Sequence, residues 1–514
     1  MGADRRPDPL TAPDRPPAPT ARAPRALWLA LAAGALVLTG LQFATPGLIG
    51  VDAYFHVRYA AVMREAGLAG FPPPFPWLPL TILAPDRYAD HHLLYHVYLV
   101  PFTLGDLRLG GKLAGLVGAL AFLATFAWLV RRERVPLPWL AILALGAASA
   151  DFLYRISMTR VQALSLVCLL VGFECALRRR HRTLAVVACL YTWLYDGFAL
   201  LAVPLGAVGL ADLVVERRLR LGATLAALSG VAAGLVVNPY FPEYLEFILH
   251  HFGAKLVPGE AVRVGREWFP YDPVSLLGNA GMALLYLAFG LAHTGPALRR
   301  DRRALAALAM AAVFLVLTLG SKRFIEYFAP TATVFVVLAA SGAVAHLRPA
   351  ARGALVALLV VVAVGNVAGV GWTLVRKDAE APGDRYARVA EYVAREAPPG
   401  AMLCTTDWDD FPRLYFYNVA STYLVGLDPT YLQRRFRSAY WQWVDITQGQ
   451  VPEPSRLLAT RFPCAYIMTD RHHPAFLEQA LHDPGLERVL EDPHAVLFRV
   501  RRDGPPPVYP RTLD

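Results

Sequence analysis

Cysteine is scarce in this chain, five in 514 residues, and no two stand at the short spacing of zinc ligands. Cys168, Cys175 and Cys189 fall in apolar segments, and Cys404 and Cys464 in the C-terminal part. An extracytoplasmic compartment would permit a Cys404–Cys464 disulfide, but two buried free thiols are the favoured expectation. There is no G-x-x-x-x-G-K-[ST] loop, no H-E-x-x-H pair and no convincing Ser-His-Asp elbow, which argues against an ATPase, a zinc protease and a serine hydrolase. Charge is also thin. Asp, Glu, Lys and Arg make up 18% of residues against 56% hydrophobic, with mean hydropathy +0.39, too apolar for a soluble chain of this length. The net charge of +10 sits in short basic clusters between apolar runs, so it reads as a membrane-orientation signal, not a nucleic-acid groove.

What is present is a series of long apolar runs. They lie near 27–46, 109–130, 135–151, 161–177, 184–195, 198–215, 221–237, 273–293, 304–319, 324–345 and 353–375, about eleven spans. Residues 1–26, rich in Pro, Arg and Ala, read as a disordered cytoplasmic tail. "RRER" at 131, "RRRHR" at 178, "ERRLR" at 216, "LRRDRR" at 298 and "LRPAAR" at 347 fall between alternate runs, and the positive-inside rule assigns them to the cytoplasm. The N-terminus is then inside, and the loops 47–108 and 238–272 and everything after Arg376 are outside the inner membrane. Past Arg376 the composition becomes mixed. "RYARVAEYVAREAP" has helical spacing, and "AMLCTTD", "TYLVGLD" and "CAYIMTD" are short apolar runs that end on polar residues, as in strands of an α/β layer. Residues 376–514 are thus expected to form a small extracytoplasmic α/β domain on a polytopic α-helical membrane domain, 27–375.

The outer loops carry the varied chemistry. "GVDAYFHVRYA" at 50–60 follows the first span. Its aspartate, histidine and arginine suit a metal and phosphate oxygens, whereas Tyr54, Phe55, Tyr59 and a snorkelling Arg58 suit plain interfacial anchoring. "YADHHLLYH" follows before the second span. Asp90, His91 and His92 are metal-ligand types and His92 and His96 are one helical turn apart, but Asp90 also suits a helix cap. Asp151 is either a further ligand or a partner for Arg155 one turn on.

Three segments, in order, carry a resemblance. "DAYFHVRYA" resembles the D-x-Y-x-H-x-R segment of the catalytic subunit of oligosaccharyltransferase and its bacterial and archaeal relatives, in the GT-C superfamily of lipid-phosphate-sugar-dependent glycosyltransferases. "SKRFIEYFAP" resembles their R-F-x-x-Y-x-x-P segment and "TTDWDDFPRLYFYN" their WWDYG segment. The resemblance implies a GT-C-like membrane fold and transfer of a sugar or oligosaccharide from a polyprenyl-phosphate donor to a glycan, lipid or protein acceptor. It implies Asp52 as catalytic residue and ligand of a divalent metal (Mg or Mn), with Asp90, His91 or Asp151 completing the metal set. Arg323 becomes the donor-phosphate contact, joined by Arg58 and Arg266. In the long outer loop the family's active-site glutamate matches Glu267 rather than Glu260, with Arg263 and Arg266 beside it, which makes Glu267 the second catalytic residue, and Glu267 or Asp52 the carboxylate that orients or deprotonates the acceptor. Trp408 and Asp409 match the acceptor segment, with Asp410 beside them. That segment departs from the family at Asp407, Asp410 and Phe411, which favours a lipid or glycan acceptor over an Asn-x-[Ser/Thr] peptide. The alternative from another class is a transporter or lipid-glycan-binding membrane protein, against which stand the lack of a clear internal repeat and the concentration of charge at the outer rim.

Overall fold

The computed structural model describes residues 22–256 and 265–502. The tail 1–21, Glu260 and Arg263 lie outside the described residues, as does the side chain of Arg266. Each of the eleven apolar runs is helical. Among the described residues seven helices are long and apolar enough to cross a membrane, and the bent pair Pro138–Ala147 and Ala150–Ile156, turned by 97°, passes the same test when its two helices are taken together. The bend has a local cause: Ser149 takes up extended backbone and caps the second helix, its Oγ accepting from the Phe152 amide at 3.1 Å. Aspartates start other helices in the same way. Asp106, Asp272 and Asp301 accept from the amides of Leu109, Ser275 and Ala304 at the heads of Leu107–Arg132, Pro273–Thr294 and Arg302–Gly320.

Three runs give short helices, Gln162–Leu177, His181–Leu194 and Gly222–Val236, of 16, 14 and 15 residues. About 20 residues are needed to cross a hydrocarbon core. The first two stop short because a polar cavity takes the place of their missing turns: Val161, Gln162, Tyr195 and Asp196 line it. At the far end of Gln162–Leu177 the arginine clusters meet. Arg132 pairs with Glu174, Arg178 with Glu133 at 2.8 Å, Arg303 with Glu133 at 3.2 Å and Arg302 with Asp212. The loops that share basic charge in the sequence therefore share one end of the bundle, and the cavity occupies the other.

The C-terminal part is α/β. Its strands are β1 Met402–Thr405, β2 Thr422–Tyr423, β3 Cys464–Asp470, β4 Leu486–Glu491 and β5 Ala495–Val500, in the order β2-β1-β3-β5-β4. The three runs expected to be strands form the parallel half, and β5 and β4 add an antiparallel hairpin. Cys404 and Cys464 are disulfide-bonded, a correction to the expected free thiols. Neighbouring strands β1 and β3 bring their Cα atoms to 5.7 Å, within disulfide reach.

The two parts are not beads on a string. The helix Pro349–Glu380 has 32 residues, about 48 Å at 1.5 Å per residue, and so outruns the bilayer toward the sheet. The helix Asp52–Ala66 packs against Phe411–Tyr417 of the C-terminal part, with Tyr54 on Phe416 at 5.3 Å and Phe55 on Tyr415 at 5.7 Å. Trp77 donates to the carbonyl of Val419 at 2.8 Å and its own carbonyl accepts from Tyr423 at 2.7 Å. Tyr54, Phe55 and Tyr59 are therefore interior packing, not a lipid-facing belt. Gly47 sits at this junction, where an added Cβ would displace the Asp378 carboxylate that accepts from its amide at 3.2 Å.

Below the sheet edge, Asp470 at the end of β3 receives His472 at 2.6 Å, His473 at 2.9 Å and Arg385 at 3.4 Å. Burial would lower the His473 pKa, but the hydrogen bond and charge of Asp470 outweigh it and raise it. Burial would raise Asp470, but His473 and His472 pull it down. The Asp470 contribution is present above its unfolded value of 3.8 and lost as pH falls through its lowered folded value. The His473 contribution is complete below 6.5 and lost as pH rises through its raised folded value. The melting temperature should therefore decline above about pH 6.5 more steeply in the wild type than in His473→Gln. The difference is at most about 1 kcal/mol, given the partial exposure. Parallel melting curves in the variant and wild type would rule this out.

Candidate active site at the membrane-domain junction

A cavity of about 1060 Å³ lies between the helix ends and the C-terminal part. Its membrane-side wall is an arginine–carboxylate network built where helices break. Arg155 ends the bent-off helix Ala150–Ile156, Arg160 sits in the connection that follows, and Arg323 occupies a single 3-10 turn ahead of the helix Ile325–Ala345. Glu267 joins all three. It meets Arg155 at 3.1 Å, Arg323 at 3.1 Å and Arg160 at 3.6 Å. Arg155 also binds Glu326 at 2.7 Å, Arg160 binds Asp52 at 3.1 Å, and Arg323 donates to the Tyr195 hydroxyl at 3.0 Å and lies over the Trp268 ring at 4.8 Å. The Glu267 segment is clipped in place by its backbone: Ser321 donates to the Glu267 carbonyl at 2.9 Å and the Lys322 amide to Phe269 at 3.0 Å. Burial would raise the Glu267 pKa, but Arg323, Arg160 and Arg155 bring it down to about 2.

The three guanidinium groups around it make Glu267 the carboxylate that organises the arginines. Asp52 and Arg323 line the cavity as expected. Arg58 does not: it lies two residues past His56, about 200° around the helix, on the side of Tyr415, with Nε buried and without a partner. Arg160, which lines the cavity, is an arginine that the sequence reading did not single out for the site. Its sequence signal was only an arginine ahead of an apolar run, "SMTRVQAL".

The four residues expected to share a metal are not brought together. Asp90 is buried behind the cavity wall, with Oδ1 accepting from the His92 amide at 2.9 Å and Oδ2 bonded to His96 Nδ1 at 2.7 Å, which is its cap-like reading. Asp151 accepts from the Tyr271 hydroxyl at 2.5 Å and pairs with neither a ligand set nor Arg155. His91 lines the cavity and stacks on Phe247 at 4.7 Å, while Asp52 is held by Arg160. Among the described residues no group of three His, Cys, Asp or Glu side chains is placed to hold a metal ion. The donor set does not fit the expected Mg or Mn site.

The opposite wall comes from the C-terminal part. Trp408 and Asp409 line it. Asp409 opens into the cavity, yet its recessed position and then the charge of Asp407 push its carboxyl up to about 7. Asp410, expected beside them, points the other way. As the last residue of the 3-10 turn Trp408–Asp410 it is 5% exposed. Burial, and then Asp409, Asp407 and Asp470, raise its pKa strongly. It is a core carboxyl, not a cavity contact.

No protein-family model and no curated protein matches the chain. Solved structures do. Two crystal structures of ArnT from Cupriavidus metallidurans, one bound to undecaprenyl phosphate and one in the apo state, superpose with TM-scores of 0.57 and 0.59. They share 17% and 16% identity, and the match covers 92% and 93% of this chain and 97% and 98% of theirs. Likeness at this identity concerns the fold. The bundle of membrane helices, broken where it meets the C-terminal α/β part over an arginine-walled cavity, has the fold of these ArnT structures.

Proposed function

We propose that the chain is a membrane glycosyltransferase that moves a sugar or oligosaccharide from a polyprenyl-phosphate-linked donor to an acceptor, in an inverting reaction on the extracytoplasmic face. The observation that carries this reading is the cavity itself. Arg160 and Arg323 supply planar, doubly donating contacts for a phosphate on the membrane side, and Trp408 and Asp409 face them from the C-terminal side. The cavity opens where helix ends give way to the soluble part, so a lipid tail remains among the spans while its head reaches the polar wall. The ArnT structure that binds undecaprenyl phosphate has the same fold.

In this mechanism the acceptor attacks the anomeric carbon as the bond from that carbon to the phosphate oxygen breaks. Arg160 and Arg323 take up the charge that grows on the leaving phosphate. Arg155 and Glu267 keep those guanidinium groups in place, and Asp52, on the same wall, orients the nucleophile. Two arginines whose carboxylate partners can be exchanged for phosphate provide the positive charge that the sequence alone suggested a metal would provide.

Direct binding tests the reading. Full-length protein in nanodiscs should bind undecaprenyl phosphate, and Arg323→Lys should weaken that binding by roughly 1–3 kcal/mol, since the charge stays but the fork is lost. A wild type that does not bind undecaprenyl phosphate overturns the assignment. Binding without transfer of sugar from any polyprenyl-phosphate donor would leave a lipid-binding protein. The orientation has its own test: a reporter fused after Arg376 should be active outside the cytoplasm and one at Arg132 inside. A cytoplasmic reporter after Arg376 would place the cavity on the wrong face.

A further inference from the structure

The proposed reaction releases a proton from the acceptor, and neither carboxylate expected to take it is suited to do so. Glu267 is locked among three arginines and Asp52 is paired with Arg160 at 3.1 Å. One turn along the helix from Asp52, on the same face, is His56, which also lines the cavity. Its Nδ1 is 2.8 Å from Nε2 of His96, whose Nδ1 is 2.7 Å from Oδ2 of Asp90. His96 and Asp90 are 1% and 2% exposed, so the chain Asp90–His96–His56 runs from the interior to the cavity wall. The remaining ring nitrogen, Nε2 of His56, has no hydrogen-bond partner among the described residues, and the residue lines the cavity.

The order of donors follows from the carboxylate at the inner end. A carboxylate oxygen accepts, so His96 Nδ1 donates in that bond. His96 Nε2 then accepts from His56 Nδ1–H, and His56 Nε2 presents a lone pair. The rings cannot turn away. His56 is packed against Tyr95 at 5.3 Å and His92 at 5.1 Å, and His96 against Tyr59 at 4.9 Å and Phe55 at 5.8 Å.

Resting on the glycosyltransferase reading above, we propose that His56 is the catalytic base, with His96 and Asp90 as positioning residues that fix its tautomer. As the acceptor's O or N forms its bond to the anomeric carbon and the bond to phosphate breaks, the acceptor proton passes to His56 Nε2. The electron pair of the broken bond stays on the phosphate; burial, and then His96, Arg160 and His91, hold the His56 pKa well below the usual imidazole range, so the ring rests neutral and passes the proton on. Product release returns the proton to solvent. No oxidant, reductant or further reactant is involved.

The test joins a spectroscopic readout to kinetics in the full-length protein. Nitrogen-15 spectra of histidine-labelled protein, with His56→Gln supplying the assignment, should show His56 protonated at Nδ1 and bare at Nε2. Asp90→Asn should disturb that tautomer. His56→Gln should bind undecaprenyl phosphate as the wild type does and keep the donor KM, yet lose on the order of 100-fold in kcat. His96→Gln and Asp90→Asn should lose about 10-fold, and imidazole should restore part of the rate to His56→Gly. A proton on His56 Nε2, a His56→Gln rate within threefold of wild type, or a loss seen only in donor KM would overturn the base while leaving the transferase reading intact. A wild type unable to bind undecaprenyl phosphate would instead remove both.

Discussion

Asp52→Asn should insert and fold like the wild type yet transfer sugar at least about 100-fold more slowly, with donor binding little changed. The fold tolerates the change because the side chain is one-third exposed and contributes no core packing. The chemistry does not. Asp52 is the only described carboxylate in contact with Arg160 besides Glu267, and an amide can neither balance that guanidinium nor accept as strongly from an incoming nucleophile. Misplacing a positioning group by about 1 Å is enough for losses of this size. On the proposed mechanism the effect should be independent of added Mg or Mn, and chelation should leave wild-type transfer in place, because the described residues of the cavity wall offer Arg160 and Arg323 and no set of metal ligands. Abolition of wild-type activity by a chelator, restored by one of these ions, would return Asp52 to the ligand role that its sequence motif implies.

Glu267→Gln should have the second large effect, by a different route. Three arginines converge on this carboxylate, and in the ion-pair network that they form with Asp52 and Glu326 three negative groups meet three positive ones. Glutamine retains the shape but leaves the wall with a surplus positive charge. Arg160 and Arg323 should then spread apart in the empty site, and a phosphate should bind at least as well as before, since the competing carboxylate charge is gone. Turnover should nevertheless fall on the order of 100-fold, because the guanidinium groups no longer hold the geometry that the departing phosphate needs. Weaker donor binding with unchanged kcat would contradict this division of roles. Unaltered activity would return Glu267 to an ordinary loop carboxylate.

The polytopic architecture, the helical runs and the parallel strands of the C-terminal part were legible in the amino-acid order, because each depends on local periodicity and on the cost of placing polar backbone or charge in hydrocarbon. Asp52, Arg323, Trp408 and the loop glutamate were singled out by short segments that keep recognisable residue types at fixed spacing, and all four line the cavity. The sequence could not settle their partners. Arg155, Arg160, Glu267 and Arg323 are separated by up to 168 positions, and meet only because the Ser149 break turns one helix by 97° and a 3-10 turn ends another. Asp90, His91 and Asp151 have the right chemistry for a metal, but helix phase and burial send them to three different places. The Cys404–Cys464 bond depends on β1 and β3 being neighbours, although 60 residues separate the two sulfurs in the chain. His56 shows the distinction most plainly: its place beside Asp52 is a matter of helical spacing, whereas its hydrogen bond to His96, 40 residues on, exists only because two separate helices pack face to face.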